Sequence, residues 1–231
     1  MIPWETLDTA SIPGGAETLR LKRRGAEFSI MLGSNELMNS RLSGSEEALA
    51  RLTIERLAAP SPRVLIGGLG LGFTLRAALP LLPPAARVTV AELVPAVVAW
   101  ARGPLAALHG DSLDDPRVTI VEDDVGRAIR AAEPKLDAIL LDVDNGPEGL
   151  SRAGNDALYS AAGLAAALAA LAPGGVFSVW SAGPDVNFTR RLRAAGLTVE
   201  EIAVRAGTTK RRARHVIWLG RKPWQGTESI R

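Results

Sequence analysis

The sequence contains no cysteine, which removes disulfides, thiolate nucleophiles and Cys-ligated zinc and fits a reducing compartment. Its two histidines, His109 and His215, are too few for a histidine-built metal centre, so no metal is expected. Long apolar runs are absent: the apolar stretches are interrupted by Pro, Gly or charge, and the opening MIPWETLDTASIPGG has no basic region followed by an apolar core. Neither a membrane span nor a signal peptide is expected, and the chain reads as soluble and cytoplasmic. Net charge is also small, with 27 Lys+Arg against 25 Asp+Glu, but the distribution is uneven. RAGTTKRRAR, over 205–214, is basic and contains no acid.

What is present is 231 residues, enough for one substantial core with a small appendage. ETLRLKRRGAEFSIMLGS (17–34) alternates apolar and polar residues on both sides of Arg24-Gly25, the pattern of a β-hairpin. SGSEEALARLTIERLAA follows, with Ser43 and Ser45 as N-cap candidates, acids in the first turn and apolar residues at helical spacing. It predicts an amphipathic helix ending before Pro60.

From Arg63 onward, strands are expected over 64–67, 87–92, 118–121, 137–142, 176–180, 197–204 and 215–219, and helices over 73–79, 95–102, 125–132, 156–171 and 186–195. This alternation predicts an α/β fold with a parallel sheet covered on both faces. No helix fits between the last two strands, so they are expected as an antiparallel hairpin at the end of the sheet. AAGLAAALAALAPGG reads as a tightly packed helix stopped by Pro173 and Gly174. The organisation is then a hairpin-and-helix extension over 1–60, a main α/β domain over 61–221 and a tail over 222–231.

The chemistry starts at RVLIGGLGLGF, where a strand ends in glycines and feeds a helix. Such a loop exposes backbone N–H groups at a positive helix end, and glycine lets a ligand approach the backbone. A dinucleotide fingerprint has G-x-G-x-x-G spacing, whereas Gly68, Gly70 and Gly72 are spaced G-x-G-x-G and follow Gly67, which favours a nucleoside ligand. Glu92 closes the second strand, where an acid hydrogen-bonds ribose hydroxyls. Asp124, with Asp123 beside it, closes the third, where it can accept from an adenine amine. The same residues also read as a tight strand–helix turn and helix N-terminal acids.

With these motifs the sequence resembles the class I S-adenosylmethionine-dependent methyltransferase superfamily, and within it the spermidine synthase-like, polyamine aminopropyltransferase-related branch. The resemblance rests on VLIGGLGLGFTLRAAL, VTVAEL, DDPRVTIVEDD, LDAILLDVDNGPEGL and Leu158-Tyr159. It implies a Rossmann-like seven-stranded sheet with an antiparallel last strand, an N-terminal β-region and a homodimer. It also implies S-adenosylmethionine, or its decarboxylated form, as the nucleoside held by Gly67, Gly68, Gly70, Gly72, Glu92, Asp123, Asp124 and Asp142.

Two departures bear on the transferred group. The family's loop carries an Asp that recognises an aminopropyl amine; Gly70 stands there and no acid is nearby in the loop. The family's Asp-Ser-Ser-Asp-Pro becomes DVDNGP, so Asp142 matches the first acid and the second falls on Asn145, or on Asp144 with one residue skipped. Asn cannot act as a general base. The stretch before Arg63 is also short for a full N-terminal β-domain.

Transfer from a sulfonium releases a neutral leaving group, so the enzyme positions the nucleophile and removes its proton. Asp144 is the candidate base or amine-binding acid, with Asp142 and Asn145 beside it and Tyr159 as a candidate substrate contact. DNGP reads equally as an Asx-Gly-Pro turn. A basic rim at Lys210, Arg211, Arg212 and Arg214 would repel a polycation and suit an anion or RNA, or it is a solvated turn. Trp180, Trp218 and His215 lie within strands and read as core residues. The primary expectation is methyl transfer to a small acceptor. The alternatives are aminopropyl transfer from the decarboxylated donor, a noncatalytic nucleoside-binding or dimerising protein, and an RNA-binding methyltransferase.

Overall fold

The computed structural model describes residues 2–143, 147, 157–205 and 214–224. The N-terminal unit is larger than the expected hairpin: β1 (Glu5–Ser11), β2 (Thr18–Arg24), β3 (Glu27–Leu32) and β4 (Asn35–Asn39) form a four-stranded antiparallel sheet in sequence order. The predicted turn is its centre, with Gly25 at φ 60° between β2 and β3. Alternation buries Leu19, Leu21, Ile30 and Leu32 on one face. The outer strands bury no side chain fully. β1 is held instead by pairing with β2 and by the Trp100 indole, which donates to Asp8 at 2.7 Å.

α1 (Gly44–Ile54) links this sheet to the second one. Ser43 stands at the N-cap position, but its hydroxyl bonds the Glu47 side chain instead of a backbone N–H. The helix is tied down by buried polar contacts: Thr53 donates to Ser178 at 2.8 Å, and the Ser45 hydroxyl lies 2.9 Å from Nδ1 of His215. Arg56, just past the helix, pairs with both oxygens of Glu200 at 3.1 and 2.9 Å.

The second sheet comprises β5 (Arg63–Gly67), β6 (Arg87–Ala91), β7 (Val118–Val121), β8 (Leu136–Leu141), β9 (Leu171–Ser181), β10 (Thr198–Arg205) and β11 (Arg214–Arg221). Its seven strands have the spatial order β10-β11-β9-β8-β5-β6-β7. Its helices are α2 (Phe73–Ala78), α3 (Pro95–Arg102), α4 (Ala106–His109), α5 (Val125–Arg130), α6 (Ala161–Ala170) and α7 (Val186–Ala194). The expected elements are found with shifts of a few residues at their ends, and α4 is additional. Alternate residues of β5 enter different cores: Val64 and Ile66 pack towards the N-terminal sheet, while Leu65 packs with Ile139, Leu141 and Phe177 on the opposite face. Full burial of each such side chain contributes about 1.5–3 kcal/mol.

The final hairpin is confirmed, with a particular topology. β11 inserts between β9 and β10, antiparallel to both, so β10 is the sheet edge and runs in the direction of β9. Its C-terminal end therefore lies at the edge where β5, β6 and β8 end. The basic turn, including Lys210, Arg211 and Arg212, lies outside the described residues. The alanine-rich helix is shorter than expected: α6 is capped by the Ser160 hydroxyl, which accepts from Gly163 N–H at 3.1 Å, and ends at Ala170. β9 begins at once at Leu171, so Pro173 and Gly174 belong to the strand entry. The ammonium of Lys222 donates to the carbonyls of Leu168 and Leu171 at 2.6 and 2.7 Å, which closes the helix end. Among the described residues no helix is long and apolar enough to cross a membrane.

Candidate active site

β5, β6 and β8 end side by side, and the loops after them form the site. Gly68 N–H donates to Ala91 O, and Asp142 N–H donates to Gly67 O, both at 2.9 Å, so the three strand ends are stitched together as the loops begin. Gly68 has φ 90°, and a Cβ there would overlap the carbonyl oxygen of Asp142. A Cβ on Gly67 would lie 2.7 Å from Val125 Cγ2, so that glycine serves packing against α5. Gly72, at φ 79°, is the N-cap of α2 and is covered by the ring of His109. Gly70, at φ 49°, faces Met38 of the N-terminal sheet.

A cavity of about 120 Å³ lies between the two sheets. The N-terminal sheet contributes Leu19, Ile30, Leu37 and Met38, and the strand ends contribute Gly68, Gly70, Glu92, Asp124 and Asp142. Its size is below the roughly 300 Å³ of ordinary ligand pockets, so the side chains of β4 close over it. Glu92 is 8 % exposed and spans the cavity's inner end. Its Oε2 accepts from Leu69 N–H and its Oε1 from Val94 N–H, each at 2.9 Å. Burial pushes its carboxyl upward against the lowering effect of these donors. The backbone N–H groups of Gly70 and Leu93 add to that lowering effect, and a hydroxyl donor would approach the carboxylate from its cavity side.

Asp124 combines both sequence-based readings. It is the N-cap of α5, accepting from Arg127 N–H at 3.0 Å, and it also lines the cavity. Asp123 instead accepts from Asp124 N–H at 2.7 Å and pairs with Arg127 at 3.3 Å. The Asp115-Pro-Arg117 segment braces the approach: Arg117 binds both oxygens of Asp115, at 2.9 and 2.7 Å, and donates to Leu82 O at 2.8 Å.

Asp142 is the junction of the site. It lines the first cavity and a second one bounded by Glu46, Gly70, Gly72, Phe73 and Trp180. Thr74 donates to its Oδ2, yet burial and the negative charge of Glu46 push its carboxyl up to about 7. Burial also pushes the Glu46 carboxyl upward, opposed by the Ser45 hydroxyl that donates to it. Glu46 was not recognised in the sequence, where it reads as one of two first-turn helix acids. Only the docking of α1 on β9 and β11 brings it to the cavity.

Other candidates lie elsewhere. Tyr159 is 3 % exposed, and its ring stands edge-on to Phe188 at 5.5 Å within the core beneath the sheet. Among the linings of the two cavities described it is absent. Asp144 and Asn145 lie outside the described residues. Among the described residues no cluster of three His, Asp or Glu side chains could hold a metal ion.

Residues 45–191, which span the loop, both acidic strand ends and α1, match the spermine/spermidine synthase domain. The chain belongs to the spermine/spermidine synthase family. This family member is 40 % identical over 155 residues to a polyamine aminopropyltransferase of Mycobacterium tuberculosis, covering 63 % of the chain and 28 % of the relative. It is 30 % identical over 161 residues to a polyamine aminopropyltransferase of Korarchaeum cryptofilum, covering 68 % and 48 % respectively. The matched part thus amounts to between about a quarter and a half of these relatives. The structure of spermidine synthase from Thermotoga maritima superposes with a TM-score of 0.75 at 20 % identity, covering 94 % of this chain and 72 % of that one, which shows the shared fold. The primary expectation of methyl transfer finds no support among these relatives; the aminopropyl alternative does. The methyl expectation rested on the missing acid in the glycine loop. In the folded chain of this synthase-family member, an acid borders the same cavity from α1.

Proposed function

We propose that this protein transfers an aminopropyl group from decarboxylated S-adenosylmethionine to an amine of a small polyamine. The observation that carries the reading is the adjacency of two cavities that share Gly70 and Asp142, the first lined by the acceptors Glu92 and Asp124 and the second by the carboxyls of Glu46 and Asp142. The chain's own groups fit the donor. Glu92 lines the cavity as an acceptor for ribose hydroxyls, Asp124 is available to an exocyclic amine, and the glycine loop brings backbone close without side chains.

When bound, the donor supplies a sulfonium whose carbon–sulfur bond breaks, the sulfur keeping the electron pair as a neutral thioether. The attacking amine must be unprotonated, and the proton it loses on forming the new carbon–nitrogen bond must leave. Asp142, raised to about 7, can hold that proton near neutral pH, and its link to Thr74 fixes the orientation of the carboxyl. Asp144 remains the candidate base at the acceptor. Leu37 and Met38 cover the cavity and exclude water. Assembly as a homodimer and a cytoplasmic setting belong to the same reading.

Incubation with decarboxylated S-adenosylmethionine and putrescine tests the reading. Stoichiometric methylthioadenosine and spermidine are expected by chromatography with mass detection. Absence of both, with methylated product formed from S-adenosylmethionine instead, would overturn it.

A further inference from the structure

We propose that Glu46 selects the donor: it binds the terminal ammonium of the decarboxylated form and rejects the carboxylate of intact S-adenosylmethionine. This rests on the function proposed above and names the residue on which donor choice turns.

The second cavity shares Leu37, Met38, Gly70 and Asp142 with the first, so it adjoins the place proposed for the nucleoside and is where the donor's aminopropyl chain would extend. Among the described residues its charged lining is Glu46 and Asp142, both acidic. Neither carboxylate forms an ion pair among the described residues; their partners are the neutral hydroxyls of Ser45 and Thr74. Two half-buried carboxyls side by side resist ionising together, and a compact ammonium with several donors stabilises their charged forms. The two acids are too few to hold a metal ion by themselves.

The remaining walls are an independent indication of an organic cation. Trp180 is 7 % exposed, lines the same cavity, and its indole Nε1 has no hydrogen-bond partner among the described residues. Together with Phe73, which is also in the lining, it gives aromatic surface suited to methylenes next to a positive charge.

Glu46 is held in place from its neighbours. Ser45 is fully buried and bonded to His215, whose ring stands edge-on to Trp180 at 4.8 Å. The glycine loop supplies no acid: Gly70 has no side chain, and Met38 Sδ lies 2.7 Å from where its Cβ would be. In this chain the carboxylate enters from α1 instead. Both donors carry the ammonium, but a donor that kept its carboxylate would also bring that negative charge against Glu46 and Asp142, and such like-charge juxtaposition lowers affinity by roughly 100-fold.

Calorimetric titrations of wild type, Glu46→Gln and Glu47→Gln with decarboxylated S-adenosylmethionine, S-adenosylmethionine and methylthioadenosine test this. Glu47 is exposed and serves as a control for net charge. The expected result is a wild-type preference for the decarboxylated donor of roughly 100-fold, reduced at least roughly tenfold by Glu46→Gln. Methylthioadenosine, which has no amine, should bind all three equally and so report an intact nucleoside site. An unchanged preference in Glu46→Gln, or the same loss in Glu47→Gln, would overturn the role of Glu46 while leaving the nucleoside site standing. Wild type that fails to bind methylthioadenosine would instead overturn the proposed function, and this assignment with it.

Discussion

Asp142 accepts a hydrogen bond from Thr74 while Glu46, arriving from another helix, adds negative charge to the same cavity. The carboxyl is thereby raised from 3.8 to about 7, burial being the larger cause. A raised carboxyl pKa means that the fold prefers the protonated form. Its stabilising contribution is complete below 3.8 and is lost as pH rises through about 7. Asp142→Asn mimics the protonated form and should melt with wild type at pH 4 but several degrees higher at pH 8, on the scale of roughly 2–4 °C per kcal/mol for a chain this size. Thermal melts at both pH values measure it. A gap of equal size at both would mean that ionisation of Asp142 is not strained. Catalysis should fall in the same variant, so stability and activity would move in opposite directions.

Moving the acid tests the same geometry from the other side. Gly70→Asp in the Glu46→Gln background returns a carboxylate to the cavity from the loop. Residue 70 sits at φ 49°, where Asp is among the better-tolerated side chains, and the atom in the way is the flexible thioether end of Met38. The preference for the decarboxylated donor should recover at least in part, as read by the ratio of dissociation constants. No recovery, with methylthioadenosine still bound, would show that the position of the acid matters beyond its charge.

How much of this was readable in the sequence depends on whether the cause was local. β2 and β3 were found because their apolar alternation flanks Arg24-Gly25, and the β5–α2 loop because glycine spacing reflects backbone constraint. β1 and β4 were missed because their exposure patterns carry no buried alternation. What makes them strands is pairing with β2 and β3, and for β1 the bond from Trp100, all non-local. Glu92 and Asp124 were identified from strand ends, and both line the cavity. Glu46 was missed because a first-turn helix acid looks the same whether it faces solvent or a cavity. Tyr159 shows the converse: it follows the DVDNGP segment in sequence, while its ring packs edge-on against Phe188 in the core, a contact no local pattern announces.

The loop's last glycine makes a prediction about stability alone. Gly72 is left-handed, and the buried ring of His109 fills the space beside it. Burial and the nearby Arg76 charge hold His109 down at about 4, so the ring is neutral at pH 7. Gly72→Ala should cost about 1–2 kcal/mol from its backbone conformation, with a further steric cost from the ring. In the His109→Ala background the steric part should vanish, so the effects of the two substitutions should be non-additive. Urea denaturation of the four proteins measures the coupling. Simple additivity would mean that the loop shifts away from the ring without strain.

Glu92 joins the architecture of the loop to binding. Each of its oxygens accepts one backbone N–H, from Leu69 in the glycine loop and from Val94 after β6. Glu92→Gln replaces one acceptor by an amide nitrogen, so one of those buried N–H groups must face another donor, at a cost of about 1–3 kcal/mol. The acceptor capacity assigned above to ribose hydroxyls falls as well. Melting temperature should fall and methylthioadenosine should bind roughly 10- to 100-fold more weakly, the range set by losing one or two such bonds. Glu92→Asp keeps the charge but shortens the reach, so it should weaken binding without leaving two donors opposed. If Glu92→Gln melts lower yet binds methylthioadenosine like wild type, Glu92 serves only the turn, and the nucleoside hydroxyls must be held elsewhere.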